Sequence, residues 1–257
     1  MEKQDIGERI RKGIELFRSG DIQRAITLLE SIARENPQNI DALYWLARIY
    51  VETNKLDEAK ECLGRLLEIK PDDVETINVM GYIYSAKGDI NSAIEYFKKA
   101  IEIDPNFQPA WFNLGLAYIN MEEPDKAIKY LETAIKLDPN DLDALNLIGV
   151  AYGIIGDYAR SIEYLKRAVE IDETAKEAWF NIGSAYMAMK KYDEAIKHYK
   201  KVLEIDSNDA LALFLLGKVY LEVGDTDQGL KHIKRSCELG YKPACRFLRK
   251  APHRVDT

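Results

Sequence analysis

The sequence has few cysteines and lacks any long apolar run. Its three cysteines, Cys62, Cys237 and Cys245, include no CxxC pair, so we expect neither a disulfide framework nor a thiolate zinc site and interpret all three as buried or half-buried free thiols. No apolar stretch reaches the length of about 18 residues that spans a bilayer. Residues 1–11 mix charges with isolated isoleucines, unlike a signal peptide. These absences predict a cytoplasmic protein without a membrane span.

Motifs for catalysis and for cofactor binding are also missing. The sequence contains no glycine-rich phosphate loop and no nucleophile elbow. Two of the three histidines, His198 and His232, occupy the same position in successive copies of a repeated segment, where a pair could in principle bind a metal. Two imidazoles without a third ligand at fixed spacing make a weak metal site, so we interpret both as solvated surface residues. The sequence therefore predicts no enzyme activity, no catalytic residue, no cofactor and no metal site.

Charge is unevenly distributed along the chain. The formal net charge is -7, yet residues 231–257 carry eight Lys and Arg against two acids, which leaves 28 basic and 41 acidic residues in residues 1–230. An acidic surface repels nucleic acid, so the body of the chain is a poor candidate for a phosphate-binding surface. The basic end remains a candidate for binding acidic partners.

A pattern of apolar and small residues recurs at a constant interval, in segments that start at 6, 40, 74, 108, 142, 176 and 210. In the fourth copy it falls at Trp111, Leu114, Gly115, Tyr118, Ala127, Leu131, Ala134 and Pro139. Spacings of three and four place residues on one face of a helix, so each copy predicts two amphipathic helices. Small residues at Gly115 and Ala127 allow the helices to approach closely, and enlarging Gly115 should cost about 1–3 kcal/mol.

Turn and stop signals separate the predicted helices. Gly-Asp pairs, in which Gly accepts the left-handed conformation and Asp caps the next helix, occur at 20–21, 88–89, 156–157 and 224–225. Prolines that stop the second helix occur at Pro37, Pro71, Pro105 and Pro139. Carboxylates at the same turns, which we interpret as helix punctuation, are Asp104, Asp138, Asp172 and Asp206.

These residues resemble the tetratricopeptide repeat, whose pattern is W-x2-L-G-x2-Y, then A-x3-F, then P. The resemblance implies an all-α fold, a right-handed superhelical solenoid of seven helix-turn-helix repeats plus a C-terminal capping helix. We predict one solenoid domain over 6–243, with repeats at 6–39, 40–73, 74–107, 108–141, 142–175, 176–209 and 210–243. We further predict a capping helix at 244–250 and a disordered tail at 251–257.

A second periodicity, twice as long as the first, overlies it. Odd-numbered repeats carry Gly-Asp at the turn, whereas the even ones carry Asn54-Lys55, Glu122-Glu123 and Lys190-Lys191. Repeats 3 and 5 share an asparagine, Asn78 and Asn146. Duplication of a repeat pair explains this pattern, and chance on a variable background is the alternative.

The resemblance implies that the first helix of each repeat lines the inside of the superhelix, where ligand peptides usually lie. The predicted peptide-binding residues on this surface are Tyr44, Trp45, Arg48, Asn78, Tyr82, Phe112, Asn113, Leu116, Asn120, Asn146, Phe180, Asn181, Ser184, Phe214 and Lys218. Aromatic side chains give contact area and asparagines hydrogen-bond to a peptide backbone, so an apolar or amphipathic segment of a protein is the expected partner. The alternative is that these asparagines and aromatics belong to the framework between helices.

Co-chaperones of this family grip C-terminal carboxylates with lysine, asparagine and arginine at five positions. In this sequence those positions hold Ile10, Ile14, Trp45, Glu75 and Val79. Without cations nothing offsets the cost of desolvating a carboxylate, so we reject that binding mode for repeats 1 to 3.

Two basic features support an alternative function. Pairs at one outer position, Lys98-Lys99, Lys166-Arg167, Lys200-Lys201 and Lys234-Arg235, could form a convex stripe. The C-terminal cluster comprises Lys242, Arg246, Arg249, Lys250 and Arg254. The leading hypothesis is a protein–protein interaction adaptor with a binding groove, with homo-oligomers through the solenoid ends as a further possibility. The alternative is a nucleic-acid-associated or self-assembling scaffold that uses the basic surfaces.

Overall fold

A computed structural model describes the backbone of residues 2–250 and the side chains of residues 5–250. The predicted tail at 251–257 and Arg254 of the basic cluster lie outside the described residues. Within the described part the chain forms helices and no strand, and the fold is an all-α solenoid of helical hairpins. The helices are α1 Glu2–Arg18, α2 Ile22–Glu35, α3 Ile40–Glu52, α4 Leu56–Ile69, α5 Val74–Ala86, α6 Ile90–Ile103, α7 Gln108–Asn120, α8 Pro124–Leu137, α9 Leu142–Ile154, α10 Tyr158–Ile171, α11 Lys176–Ala188, α12 Tyr192–Ile205, α13 Ala210–Glu222, α14 Thr226–Glu238 and α15 Lys242–Lys250.

The chain divides into two compact units, Met1–Ala117 (unit 1) and Tyr118–Thr257 (unit 2). From α1 to α6 in unit 1, and from α8 to α15 in unit 2, each helix packs against the next one along the chain. In unit 1 a continuous core includes Leu43, Leu63 and Met80 from successive helices. In unit 2 one core cluster centres on Tyr199, which is fully buried. Within each unit, neighbouring hairpins therefore cover one another's apolar faces, as repeat architectures require.

Small residues allow the two helices of a hairpin to approach each other. A Cβ atom placed on Gly149 would lie 2.5 Å from Leu165, and one on Gly81 would lie 2.5 Å from Phe97. Ala127, at the matching position of a second helix, is fully buried. The packing role predicted for small residues is confirmed at these positions.

The predicted left-handed turns are confirmed, and they extend to repeats without glycine. Gly20, Gly88, Gly156 and Gly224 have φ between 82° and 87°. At the matching position of the even repeats, Asn54, Glu122 and Lys190 have φ of 57° to 59°. The backbone hydrogen bonds are also shared, since the amide after this residue donates back to the carbonyl five residues earlier, as in Lys191 to Tyr186 at 2.9 Å. Odd and even repeats thus share the left-handed turn conformation, although only the odd repeats have glycine, the residue that favours it.

Aspartates cap the helices at most of the predicted positions. The Asp89, Asp157 and Asp225 side chains accept from the backbone N–H three residues later. Asp21 makes no such side-chain bond, so the predicted cap is wrong there; its carboxylate pairs instead with Arg24 at 3.3 Å. The carboxylates that end the second helices, such as Asp104, accept from the N–H two residues later. That role agrees with helix punctuation.

The C-terminal helix α15 is attached to α14 by a disulfide between Cys237 and Cys245. The expectation of free thiols is therefore wrong for these two cysteines. A turn at Gly240, with φ of 89°, reverses the chain and brings their Cα atoms to 4.8 Å, which their spacing in the sequence does not reveal. Cys62 is free and buried, and burial raises the pKa of its thiol to about 11.

Candidate functional site

A largely apolar cavity of unit 1 lies between α3 and α5, close to the start of α7. Its volume is about 500 Å³. The structure brings three of the predicted binding residues, Tyr44, Arg48 and Asn78, to its wall. The rest of its wall is formed by Ala47, Val51, Glu52, Leu63, Glu75, Thr76, Val79, Phe107 and Pro109. We call this space the α3–α5 cavity.

A second, smaller cavity adjoins the first. It has a volume of about 190 Å³ and shares Tyr44, Glu75 and Thr76 with the α3–α5 cavity. Charged side chains dominate the remainder, which includes Asp41, Lys70 and Asp73. One groove in unit 1 therefore joins an apolar part to a charged part.

Aromatic side chains on the first helices of unit 1 are unusually exposed. Tyr44 is 41% exposed and Tyr82 is 50% exposed. Trp45 is half-buried, and its ring packs edge-on against Tyr44 with 5.9 Å between centroids. Arg48 lies over the Trp45 ring at 5.1 Å and pairs with Glu52 at 3.3 Å. The charge of Arg48 is thus already paired with a carboxylate of the same chain.

The predicted asparagines form hydrogen bonds between neighbouring first helices. Asn113 Nδ2 donates to Asn78 Oδ1 at 3.0 Å, and Asn181 Nδ2 donates to Asn146 Oδ1 at 2.9 Å. These asparagines therefore hold neighbouring helices together, which is the framework role that the sequence analysis kept as an alternative to ligand binding. The two bonds are separated by one repeat pair, in keeping with the duplicated unit, which stays a hypothesis.

In unit 2 three of the predicted residues line a cavity of their own. Phe180, Asn146 and Asn181 line a cavity of about 270 Å³, where Lys176 pairs with Asp206 and Asp209, each at 3.1 Å. The Ser184 hydroxyl donates to the Phe180 carbonyl at 3.0 Å.

The other predicted residues line none of the three cavities described above. Phe214 is covered by Tyr241 and Phe247 from the C-terminal segment, at centroid distances of 5.4 and 6.2 Å, and Lys218 Nζ lies 5.9 Å above its ring. Phe112 and Leu116 on α7 are half-buried and Asn120 is exposed.

Two cavity residues outside the predicted set lie at repeat positions that did supply predicted residues. Val79 occupies the position of Trp45 in its repeat, and Glu52 occupies the position of Asn120. Phe107 is the last residue of its repeat, just before α7, and no helical periodicity marks it.

His198 is buried, so its interpretation as a solvated surface residue is wrong, whereas His232 is half-buried. His198 is 5% exposed and stacks between Trp179 and Tyr186, with centroid distances of 5.5 and 5.3 Å. His232 is half-buried and stacks on Tyr220 at 5.6 Å. In earlier repeats tyrosines stack at the matching position, in the pairs Tyr84–Tyr96, Tyr118–Tyr130 and Tyr152–Tyr164. The position of the two histidines within the repeat, which matches these tyrosines, could therefore have indicated their place in the aromatic stack.

Burial lowers the pKa of both imidazoles. For His198 desolvation dominates, with Glu194 opposing it and Lys197 and Lys166 reinforcing it. For His232 desolvation acts together with nearby lysines. Among residues 5–250, His, Cys, Asp and Glu side chains form no group of three that could hold a metal ion.

Several cations of the predicted convex stripe already have partners. Lys201 pairs with Glu204 at 2.6 Å, and Arg235 pairs with Glu238 at 3.2 Å. Arg167 donates to the Pro139 carbonyl at 3.3 Å. Among the helices described above, none is both long enough and apolar enough to cross a membrane.

Comparison with protein-family models matches the hairpins to the tetratricopeptide repeat. One model covers residues 16–77 and 84–149, and others cover 142–174, 177–209 and 198–231. The chain belongs to the tetratricopeptide repeat family. Proteins of this family are generally non-enzymatic scaffolds that bind other proteins. A comparison with curated proteins finds no match.

Several solved structures share this fold. MamA is 29% identical, with a TM-score of 0.60, over 64% of this chain and 96% of its own. YrrB, described as a TPR protein with an unusual peptide-binding site, is 22% identical with a TM-score of 0.63, over 74% of this chain and 100% of its own. A tetratricopeptide repeat protein from Parabacteroides merdae is 20% identical with a TM-score of 0.71, over 96% of this chain and 98% of its own.

Proposed function

We propose that this protein is an adaptor that holds a short apolar or amphipathic segment of a partner protein in the groove of unit 1. The observation that carries the proposal is the α3–α5 cavity, about 500 Å³ in volume, which opens beside the exposed ring of Tyr44. Pockets of about 300–1,000 Å³ with mostly apolar walls are typical of binding sites.

The energetics favour an anchor side chain in this cavity. Val51, Val79 and Phe107 supply apolar walls. Burying one leucine- or phenylalanine-sized side chain there contributes about 1.5–3 kcal/mol. Tyr44 adds a rigid aromatic surface at little entropic cost, which is typical of residues that dominate binding energy. The Asn113–Asn78 bond supports the proposal in another way, because it fixes the relative position of two first helices.

The proposal is tested by selecting short peptides from a display library and titrating them calorimetrically. Tyr44→Ala should weaken binding about tenfold, or about 1.4 kcal/mol. Arg24→Ala, at a side chain that is 79% exposed on α2, is the control and should bind as the wild type does. Circular dichroism should show that both variants keep their helix content.

Tyr82→Ala shows whether the binding site is confined to the α3–α5 cavity or extends along α5. Tyr82 is exposed on α5 but is not among the residues that line the α3–α5 cavity. Weakening by Tyr44→Ala alone would restrict the site to the cavity, and weakening by both would extend it along α5. Full affinity in the Tyr44→Ala variant would refute the proposal.

A further inference from the structure

We propose that the segment bound in the unit 1 groove carries an apolar anchor followed by lysine or arginine, so that the site selects basic amphipathic segments of another protein. This inference rests on the function proposed above and specifies the chemistry of the partner. It is carried by the charges that surround the two adjoining cavities.

The groove carries an excess of negative charge. Its two cavities are lined by four carboxylates, from Asp41, Glu52, Asp73 and Glu75, and by two cations, from Arg48 and Lys70. Arg48 is paired with Glu52 at 3.3 Å, which leaves three carboxylates against Lys70. The local net charge is therefore negative on the side of the groove where the apolar cavity ends.

Two of these carboxylates are available to a ligand. Asp73 caps α5, since its carboxylate accepts from the Thr76 N–H at 3.0 Å and from the Thr76 hydroxyl. Asp41 and Glu75 are exposed, and no ion pair joins either of them to a cation among the residues with described side chains. Glu75 lines both cavities, so it lies at their junction.

An anchor in the α3–α5 cavity places the following ligand residues beside Glu75 and Tyr44, which line both cavities. A ligand cation there gains a carboxylate partner and the face of an aromatic ring. A ligand carboxylate would instead lose water against like charge, and such juxtaposition disfavours wrong partners. Selection between basic and acidic segments follows from this arrangement.

The test uses three fluorescein-labelled peptides that share a leucine anchor in an alanine and serine background. The anchor is followed by two lysines, two glutamines or two glutamates. Fluorescence anisotropy should show the lysine peptide binding about tenfold more tightly than the glutamate peptide at about 50 mM salt, with a smaller ratio at about 300 mM. The paired variant Asp41→Asn with Glu75→Gln should reduce this ratio to about two or less.

Glu95→Gln, an exposed acid on α6 outside both cavities, is the matched control and should leave the ratio unchanged. Equal binding of the three peptides that still depends on Tyr44 would overturn the charge selection while leaving the proposed function intact. Preference for the glutamate peptide would also overturn it.

Absence of binding by all three peptides, and by matching sets with methionine, phenylalanine or tryptophan anchors, would overturn both proposals. Sedimentation of the chain alone completes the test. A self-associated state that the lysine peptide dissociates would identify a second copy as the occupant, which would overturn the assignment to another protein.

Discussion

Asn113 Nδ2 donates a hydrogen bond of 3.0 Å to Asn78 Oδ1, which joins the first helices of two neighbouring repeats in unit 1. Asn78 is only 9% exposed, so water cannot easily replace its partner. The bond fixes the register of α5 and α7 beside the proposed groove. A buried amide that loses its partner carries its full desolvation cost.

We therefore expect Asn113→Ala to reduce the free energy of unfolding by about 1–3 kcal/mol. Replacing both Asn78 and Asn113 by leucine should cost less than the single change, since no orphaned amide remains. Asn181→Ala should cost less than Asn113→Ala, because Asn146 is half-buried and accessible to water. Urea denaturation measures all three, and equal losses at both pairs would contradict this account.

Gly149 sits against Leu165, with no space for a methyl group. Gly149→Ala should reduce the free energy of unfolding by about 1–3 kcal/mol through overpacking. Gly64 on α4 has no atom within 4 Å of its Cβ position, so Gly64→Ala is a matched control. It should stabilise the protein by about 0.4–1 kcal/mol by restricting the unfolded chain. Thermal and urea unfolding should therefore give shifts of opposite sign.

Buried His198 and half-buried His232 predict a loss of stability in mild acid. Burial lowers their folded-state pKa values, so the unfolded chain binds more protons below its own histidine pKa of about 6.5. Their contribution is fully present above about pH 6.5 and is lost as the pH falls below that value, with a slope of at most about 1.4 kcal/mol per pH unit for each histidine.

Replacing His198 and His232 together by tyrosine should flatten this dependence between about pH 5 and 7. Tyrosine already stacks at the matching positions of earlier repeats, as in Tyr96. Urea denaturation at each pH provides the measurement. An unchanged slope in the double variant would assign the acid sensitivity to other groups.

The disulfide between Cys237 and Cys245 should hold α15 against α14. Closing so short a loop contributes about 2–3 kcal/mol in the chain-entropy treatment. Reduction with dithiothreitol should accelerate amide hydrogen exchange in residues 242–250, as followed by mass spectrometry. In a variant with serine at both positions, the exchange rate of these amides should be the same with and without reductant. If reductant left the exchange rate of the wild type unchanged, that result would argue against the disulfide.

Much of the local structure was predictable because it repeats. The spacing of Trp111, Leu114 and Gly115 specifies a helix face, and the Gly-Asp turn at 88–89 specifies where one helix ends and the next begins. The histidines could have been assigned to the aromatic stack from their register with Tyr164. The shared repeat position of the two histidines was weighed only as a metal site, and the tyrosines at that position in earlier repeats were not considered.

The candidate site was predicted less completely. Tyr44 and Arg48 followed from the first-helix positions, whereas Phe107 reaches the cavity from the segment before α7. Whether Asn78 faces a ligand or another asparagine depends on the side chain opposite it in the next repeat. Sequence spacing supplies the candidates but not their partners.

The sequence by itself determined that this chain builds helical hairpins of the tetratricopeptide family, because a constant repeat period with helical spacing inside each copy is a local property of the chain. Only the tertiary structure decided which side chains pair, from the Cys237–Cys245 bond to the charges around Glu75. Those relationships depend on distances between residues of different helices, which packing sets and linear order does not.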